Sequence, residues 1–298
     1  MSYYKNLITG QWQIGDIVMG YGTNIKVDDI DVKSYDVDAK DYQVPRSDEK
    51  RFGQDSLVPT TIEFNFRILH NRLLPGYEDV LPNFWHSMPT IEDLQREWRF
   101  DAGRNRWGQV KPLYLKSKYD EREKIIFGRP GQFTVTQNDM YNGGEVVEVL
   151  AEFRRGDTYT YSLYEYAVTL NQSFPTTVIN GTGGTGPSWM RILIAGPINH
   201  PILTFSNLYQ QDHDIVIDLD RNIASGEIVE INSEPWSRRV INNGSPPLNL
   251  SPLLIGNTPY LDRLRFDFNS DVEVSLAGSG MNSSTTVLVL WRDVYQVI

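Results

Sequence analysis

The sequence predicts a mostly β protein: an N-terminal β-domain with one amphipathic helix and extended arms, followed by a C-terminal β-sandwich. Three observations carry this reading. Over residues 61–68 apolar and polar residues trade places at every step, the mark of an antiparallel strand with one buried face. Similar short runs recur down the chain between Gly, Asn and Ser clusters, the punctuation of a sandwich or barrel. Only one segment clearly shows the helical period: Ile91, Leu94 and Trp98 fall at i, i+3 and i+7.

The elements follow in order. The helix starts at Thr90, directly after Pro89; Thr90 can cap the first turn, and Asp93 completes a short-armed capping box. Glu92 and Asp93 also suit the positive end of the helix dipole. Further strands are expected over residues 145–153, 190–194, 215–219, 227–231, 264–268, 272–276 and 285–291. Turns are expected at Asn142-Gly143-Gly144, Ala224-Ser225-Gly226, Asn242-Asn243-Gly244 and Gly278-Ser279-Gly280, and a flexible loop over residues 182–186. Residues 28–41, with six aspartates, and residues 101–124 read as long extended connections. Such lengths are unusual in a compact monomer, and segments of this kind find partners on neighbouring subunits.

Charge divides the chain. All nine lysines lie at or before Lys124. Residues 1–165 hold 21 basic and 26 acidic residues, and residues 166–298 hold 7 and 12, so each part is net −5. The second part is sparsely charged and rich in Asn, Ser, Thr, Pro and Gly. We therefore read two domains, 1–165 and 166–298.

Composition excludes several classes. The absence of cysteine removes disulfide scaffolds, thiolate metal sites and a cysteine nucleophile. A net charge of −10 argues against a protein that holds DNA or anionic lipid. The first sixteen residues have no run suited to a signal peptide, and no stretch is long and apolar enough for a membrane helix. A soluble protein made in a cytoplasm is expected, which leaves the Asn-x-Ser/Thr sequons without meaning.

No catalytic, cofactor or metal site is read. His70, His86, His200 and His213 have no metallohydrolase spacing. Asp212-His213-Asp214 reads as a polar turn entering a strand. Asp218 to Asn222 opens like a calcium loop, but Ile223 and Val229 stand where Gly and Glu are needed. The glycines of residues 180–186 lack the Lys-Ser/Thr of a phosphate loop, and no G-x-S-x-G elbow occurs. A carboxylate pair for glycoside hydrolysis is a spatial feature that sequence does not reveal. Arg104, Arg106, Lys111, Lys116 and Lys118 interleave with Trp107, Tyr114 and Tyr119, a pattern of single-strand binders. Asp120, Glu121 and Glu123 interrupt it, so a solvated or subunit-contacting arm through Arg104, Arg106, Trp107, Lys111 and Tyr114 is expected. In the second domain Trp189, Trp236, Tyr209 and Tyr260 could stack on sugar rings, or belong to the sandwich core.

Taken in order, several segments resemble the distal tail protein family of long, flexible-tailed bacteriophages, particularly those of actinobacterial hosts. Trp12-Gln13-Ile14-Gly15 with Gly20-Tyr21-Gly22-Thr23 is one such element. Residues 46–55, leading into Thr61-Ile62-Glu63-Phe64, resemble that family's Arg-x-x-Asp-Gly-x-x-Phe-Gly-x-Asp hairpin, with Glu49 in place of the glycine and one residue fewer between Arg46 and Asp48. The helix ending in Trp98 is a third element, and Phe127-Gly128-Arg129-Pro130 with residues 153–159 is a fourth, where Thr158 replaces the usual proline. Residues 207–219, 227–232, 253–259 and 288–292 continue the likeness in order.

The resemblance implies a tail-tube-like ring domain followed by a galectin-like β-sandwich. It implies a structural virion protein without enzymatic activity or cofactor, forming a six-copy ring at the tail tip after assembly in the host cytoplasm. Its implied partners are the major tail tube protein, the tail hub and the tape-measure protein, with DNA passing through and not held. On this reading some of Asp28, Asp29, Asp31, Asp36, Asp38 and Asp41 face the lumen or its rim, or else all six form a solvated β-arm. The alternatives are a carbohydrate-binding minor tail protein contacting the host wall, through Trp189, Trp236 and Tyr260, and a wall-degrading hydrolase.

Overall fold

The computed structural model describes residues 4–31, 36–43, 50–51, 56–69, 90–106, 108–117, 121–136, 146–180, 183–207, 214–255, 261, 264–266 and 271–296. It is mostly β, and the chain forms two compact units, Met1–Thr160 with Gln296–Ile298, and Tyr161–Tyr295.

In the first unit the strands are β1 (Gln11–Ile14), β2 (Ile17–Gly20), β3 (Ile25–Asp31), β4 (Asp36–Asp38), β5 (Tyr42–Gln43), β6 (Lys50–Arg51), β7 (Ser56–Val58) and β8 (Thr61–Leu69). Helix α1 (Ile91–Arg99), the single turn α2 (Asp101–Arg104), β9 (Lys111–Lys116), β10 (Glu123–Thr136) and β11 (Val146–Arg155) complete it. The main sheet runs β2-β1-β9-β10-β11-β8-β3, with every neighbouring pair antiparallel. On β8 the alternation sends Ile62, Phe64, Phe66 and Ile68 inward, all essentially buried. Helix α1 covers that face. Trp98 meets Phe64 and Phe66 edge-on, at 6.0 and 5.7 Å between ring centres, and its indole N–H donates to the Glu152 carbonyl at 2.9 Å.

Thr90 and Asp93 form the reciprocal capping box read from the sequence: the Asp93 N–H donates to the Thr90 hydroxyl at 3.2 Å, and the Thr90 N–H to the Asp93 carboxylate at 2.9 Å. Residues 101–124 differ from expectation. They do not form a long extended connection: after α2, Lys111–Lys116 enters the sheet as β9, between β1 and β10, with Leu113 and Leu115 buried. Between β3 and β8 the chain makes two short ribbons, β4 with β7 and β5 with β6.

The second unit is a sandwich. Its strands are β13 (Tyr166–Asn171), β14 (Thr176–Ile179), β15 (Ser188–Ala195), β16 (Ile198–Asn207), β17 (Ile215–Asp218), β18 (Asn222–Ile223), β19 (Ile228–Asn232), β20 (Arg239–Asn242), β21 (Arg265–Phe266), β22 (Val272–Ser279) and β23 (Thr286–Trp291); β12 (Thr160–Ser162) and β24 (Val294–Tyr295) pair with each other outside both of its sheets. One sheet runs β13-β23-β15-β19-β20 and the other β14-β22-β16-β17. Their inner faces meet in one core that includes Met190, Ile192, Ile194, Leu203, Val229, Ile231, Val274, Val287 and Val289. β15 and β23 sit in the middle of their sheet, and over residues 190–195 and 286–291 buried residues alternate with half-buried ones, so one face of each strand enters the core. The strand expected over residues 264–268 is observed as β21; residues 267–270 lie outside the described residues, as does the Asn142-Gly143-Gly144 turn.

Candidate interaction surfaces

The inward residues of β8 fix its outward ones. Glu63, Asn65 and Arg67 point away from the core, and register carries the same face across β3, β11 and β10. Asp29 lies opposite Asn65, Asn65 opposite Leu150, and Leu150 opposite Thr134. One step along, Asp31 lies opposite Glu63, and Glu63 opposite Glu152. Three carboxylates thus stand side by side across three adjacent strands. Directly opposed residues have Cβ atoms about 4.5–5.5 Å apart, and like charges there are destabilising. A shallow groove of about 380 Å³ runs over this face, lined by Asp29, Asp31, Glu63, Glu152, Gln132, Thr134 and the exposed Leu150. No basic side chain lines it. Arg67, one row along, pairs with Asp28 at 3.0 Å and lies opposite Glu148.

The six aspartates of residues 28–41 are distributed over several elements. Asp29 and Asp31 join the sheet face. Asp28 sits at the bulge between Val27 and Asp29 and pairs with Arg67. Asp36 and Asp38 are exposed on the β4–β7 ribbon, where Asp38 pairs with Lys40, and Asp41 is half-buried ahead of β5. Sequence reasoning misses Glu63 and Glu152. Both occupy the polar positions of alternating strands, so the pattern that locates the core also locates them.

Of the basic and aromatic residues of 104–114, Arg104, Lys111 and Tyr114 have partners inside the first unit. Arg104 donates to the Trp98 carbonyl at 2.9 Å and also to Arg99, satisfying the free carbonyls at the end of α1. Arg106 is exposed, and its carbonyl accepts from Arg129 at 2.8 Å. Lys111 is buried, donates to the Glu97 carbonyl at 2.7 Å and pairs with the Glu97 carboxylate. The Tyr114 ring lies 5.4 Å from that of Tyr4. Trp107 lies outside the described residues. Arg104 and Lys111 are thus held at the end of α1, while the Arg106 side chain stays exposed.

Of the candidate sugar-stacking residues, Trp189 and Trp236 are described, and both already have side-chain partners. Trp189 is buried, with the guanidinium groups of Arg238 and Arg265 at 5.7 and 5.6 Å from its ring centre. Trp236 meets Tyr161 edge-on at 5.2 Å. Tyr209 and Tyr260 lie outside the described residues, as do Asp212 and His213. Asp218, the first residue of the calcium-like run, contacts His200 Nε2 at 2.5 Å.

One carboxyl in the second unit is tuned. Burial pushes the Glu227 pKa up, but hydrogen bonds from Asn242 and the Ala224 N–H and the charge of Arg221 outweigh it and hold it below the usual range. This network ties the turn before β19 to β20 and is structural.

No protein-family model matches the sequence, and no curated protein matches it. Solved structures do match in fold. The Dit protein of phage SPP1, described as a paradigm of the hub adsorption apparatus in phages infecting Gram-positive bacteria, aligns at TM-score 0.52 and 12% identity, over 91% of this chain and 93% of that one. A chain of the phage p2 baseplate in its activated conformation with Sr aligns at 0.51 and 12%, over 94% and 97%. The Ca form of that baseplate aligns at 0.50 and 11%, over 95% and 98%. The resemblance carried by the ordered motifs is therefore present in the fold, and across both units.

Proposed function

We propose that this chain is a distal tail protein: a structural component of a long-tailed phage that closes a ring of six copies between the tail tube and the tail hub. The first unit forms the ring, and the outward face of β3, β8, β11 and β10 lines its channel. The observation that carries this is the row Asp31, Glu63 and Glu152, placed side by side with no basic side chain in the groove over it. A lone subunit loses stability through that row. A channel gains from it, because DNA slides past carboxylates without sticking to them.

The ribbons between β3 and β8 support ring closure. A two-stranded ribbon is marginally stable by itself in water. Val37 and Val58, on β4 and β7, are 46% and 39% exposed, so the ribbon offers apolar side chains, and edges with no further strand against them among the described residues, to a neighbouring subunit. In this reading the subunit-contacting arm is the pair of ribbons, β4 with β7 and β5 with β6. Partners at the two rims are the tube protein and the hub, with the tape-measure protein and then DNA in the channel. The carbohydrate-binding alternative has less support, because guanidinium groups already stack on Trp189.

Electron microscopy of the concentrated purified protein tests the proposal. Six-fold rings with a central opening are expected. A monomer at every concentration, still monomeric when mixed with its tail hub partner, would contradict it.

A further inference from the structure

The four terminal strands of the sandwich are treated differently. At β20, Leu250 N–H donates to the Val240 carbonyl at 2.7 Å and Ile241 bridges to Asn249, so the chain covers that edge itself. Next to β17, Asp220 N–H donates to the Leu253 carbonyl and Ile255 N–H to the Asp218 carbonyl, both at 2.9 Å, so the segment after the turn at residues 251–253 closes that one too. Among the described residues β13 pairs only with β23, and β14 only with β22. Their outer edges have no strand against them among those residues.

The uncovered edges also lack the usual protection. Proteins keep open edges from pairing by placing charges or prolines on them. Between Glu165 and Arg191 there is no charged residue at all, and no proline lies within β13 or β14. The two strands are joined by a tight turn in which Asn171 N–H donates to the Phe174 carbonyl and the Asn171 side chain accepts from the Ser173 and Phe174 N–H groups. That turn holds Phe174 outward, 69% exposed, beside the exposed Ala167, Thr169, Thr176 and Val178.

We infer that the β13–β14 edge is a docking edge for a second copy of this chain. Two considerations select that occupant. The edge belongs to both sheets at once, so a single added strand from another protein would extend only one of them. A second sandwich turned by a two-fold axis presents the same pair of edges and continues both sheets. The lack of charge points the same way, since self-pairing sets like residues near like and only a neutral edge does so without repulsion. The chain's own β4–β7 and β5–β6 ribbons carry Asp36, Asp38, Lys50 and Arg51 and fit less well. The contact lies wholly in the second unit and does not depend on the ring.

The absence of cysteine makes the test direct. Thr169→Cys in the full chain, treated with a short bismaleimide, is expected to give a covalent dimer at least about tenfold faster than Ser225→Cys, at the exposed turn before β19, because docking raises the effective concentration of the two thiols. Adding Ala167→Lys and Val178→Lys, both at exposed positions, is expected to return the rate to that of the control, with circular dichroism unchanged. Equal rates for the two cysteine variants, or a fast rate that the lysines leave unaltered, overturn the inference. Rings seen or missing in the microscope do not affect this reading.

Discussion

Gly15 sits at φ +57, in the left-handed region that side chains avoid, and a Cβ placed there would lie 1.9 Å from the Glu97 carboxylate. That carboxylate is held by the buried Lys111, so an added methyl displaces one half of a buried ion pair. We expect Gly15→Ala to destabilise the first unit by about 2–4 kcal/mol, read by thermal unfolding. In a Glu97→Ala background the same change should cost only about 1 kcal/mol, the backbone strain alone. Equal costs in both backgrounds would show that Glu97 is not the obstacle. Glu227 gives a pH-dependent prediction. Its pKa is lowered on folding, so its contribution is complete above its unfolded value near 4.5 and fades as pH falls through the lower folded value. Glu227→Gln should cost about 1–2 kcal/mol at neutral pH, with a gap to the wild type that narrows below pH 4.5. A constant gap from neutral to acid pH would contradict the network. Neither effect is legible in sequence: Gly15 belongs to a recognisable motif, but nothing local says that a glutamate from α1 fills the space above it.

At the scale of elements, the row on the sheet makes its own prediction. Removing the middle carboxylate with Glu63→Gln should stabilise the isolated chain by about 0.5–1 kcal/mol, less as salt is raised. A loss of stability would mean that Glu63 is engaged favourably and the row is not frustrated. Strict alternation makes β8 readable from residue order alone, and the helical period does the same for α1, because each has one wet and one dry face. β9 is hidden. Its Lys-Pro-Leu-Tyr-Leu-Lys sequence carries a proline and two charged ends, which local rules assign to a loop. The sheet overrides them: Leu113 and Leu115 are buried, Lys111 is neutralised by Glu97, and Lys116 lies 3.6 Å from Glu123. The only hint is the spacing of the two leucines.

At the scale of the molecule, part of the charge of −10 takes on a location. The aspartates of residues 28–41 stand out as a run, yet only Asp29 and Asp31 reach the groove, and β8 and β11 supply the rest from distant sequence. A run is visible in one dimension, whereas a row across strands depends on register. Reversing the row with Glu63→Lys and Glu152→Lys should convert a protein with no measurable affinity for duplex DNA at low salt into one that binds it, with the affinity falling steeply as salt rises. Binding already present in the wild type would remove the repulsive role.

The most direct test of the whole account is a cryo-electron microscopy map of the ring, purified or in the tail tip. The account predicts six copies with Asp31, Glu63 and Glu152 facing the central channel and the β4–β7 and β5–β6 ribbons lying on the neighbouring subunit. A ring with those carboxylates on its outer surface, or an assembly with no channel, would contradict it.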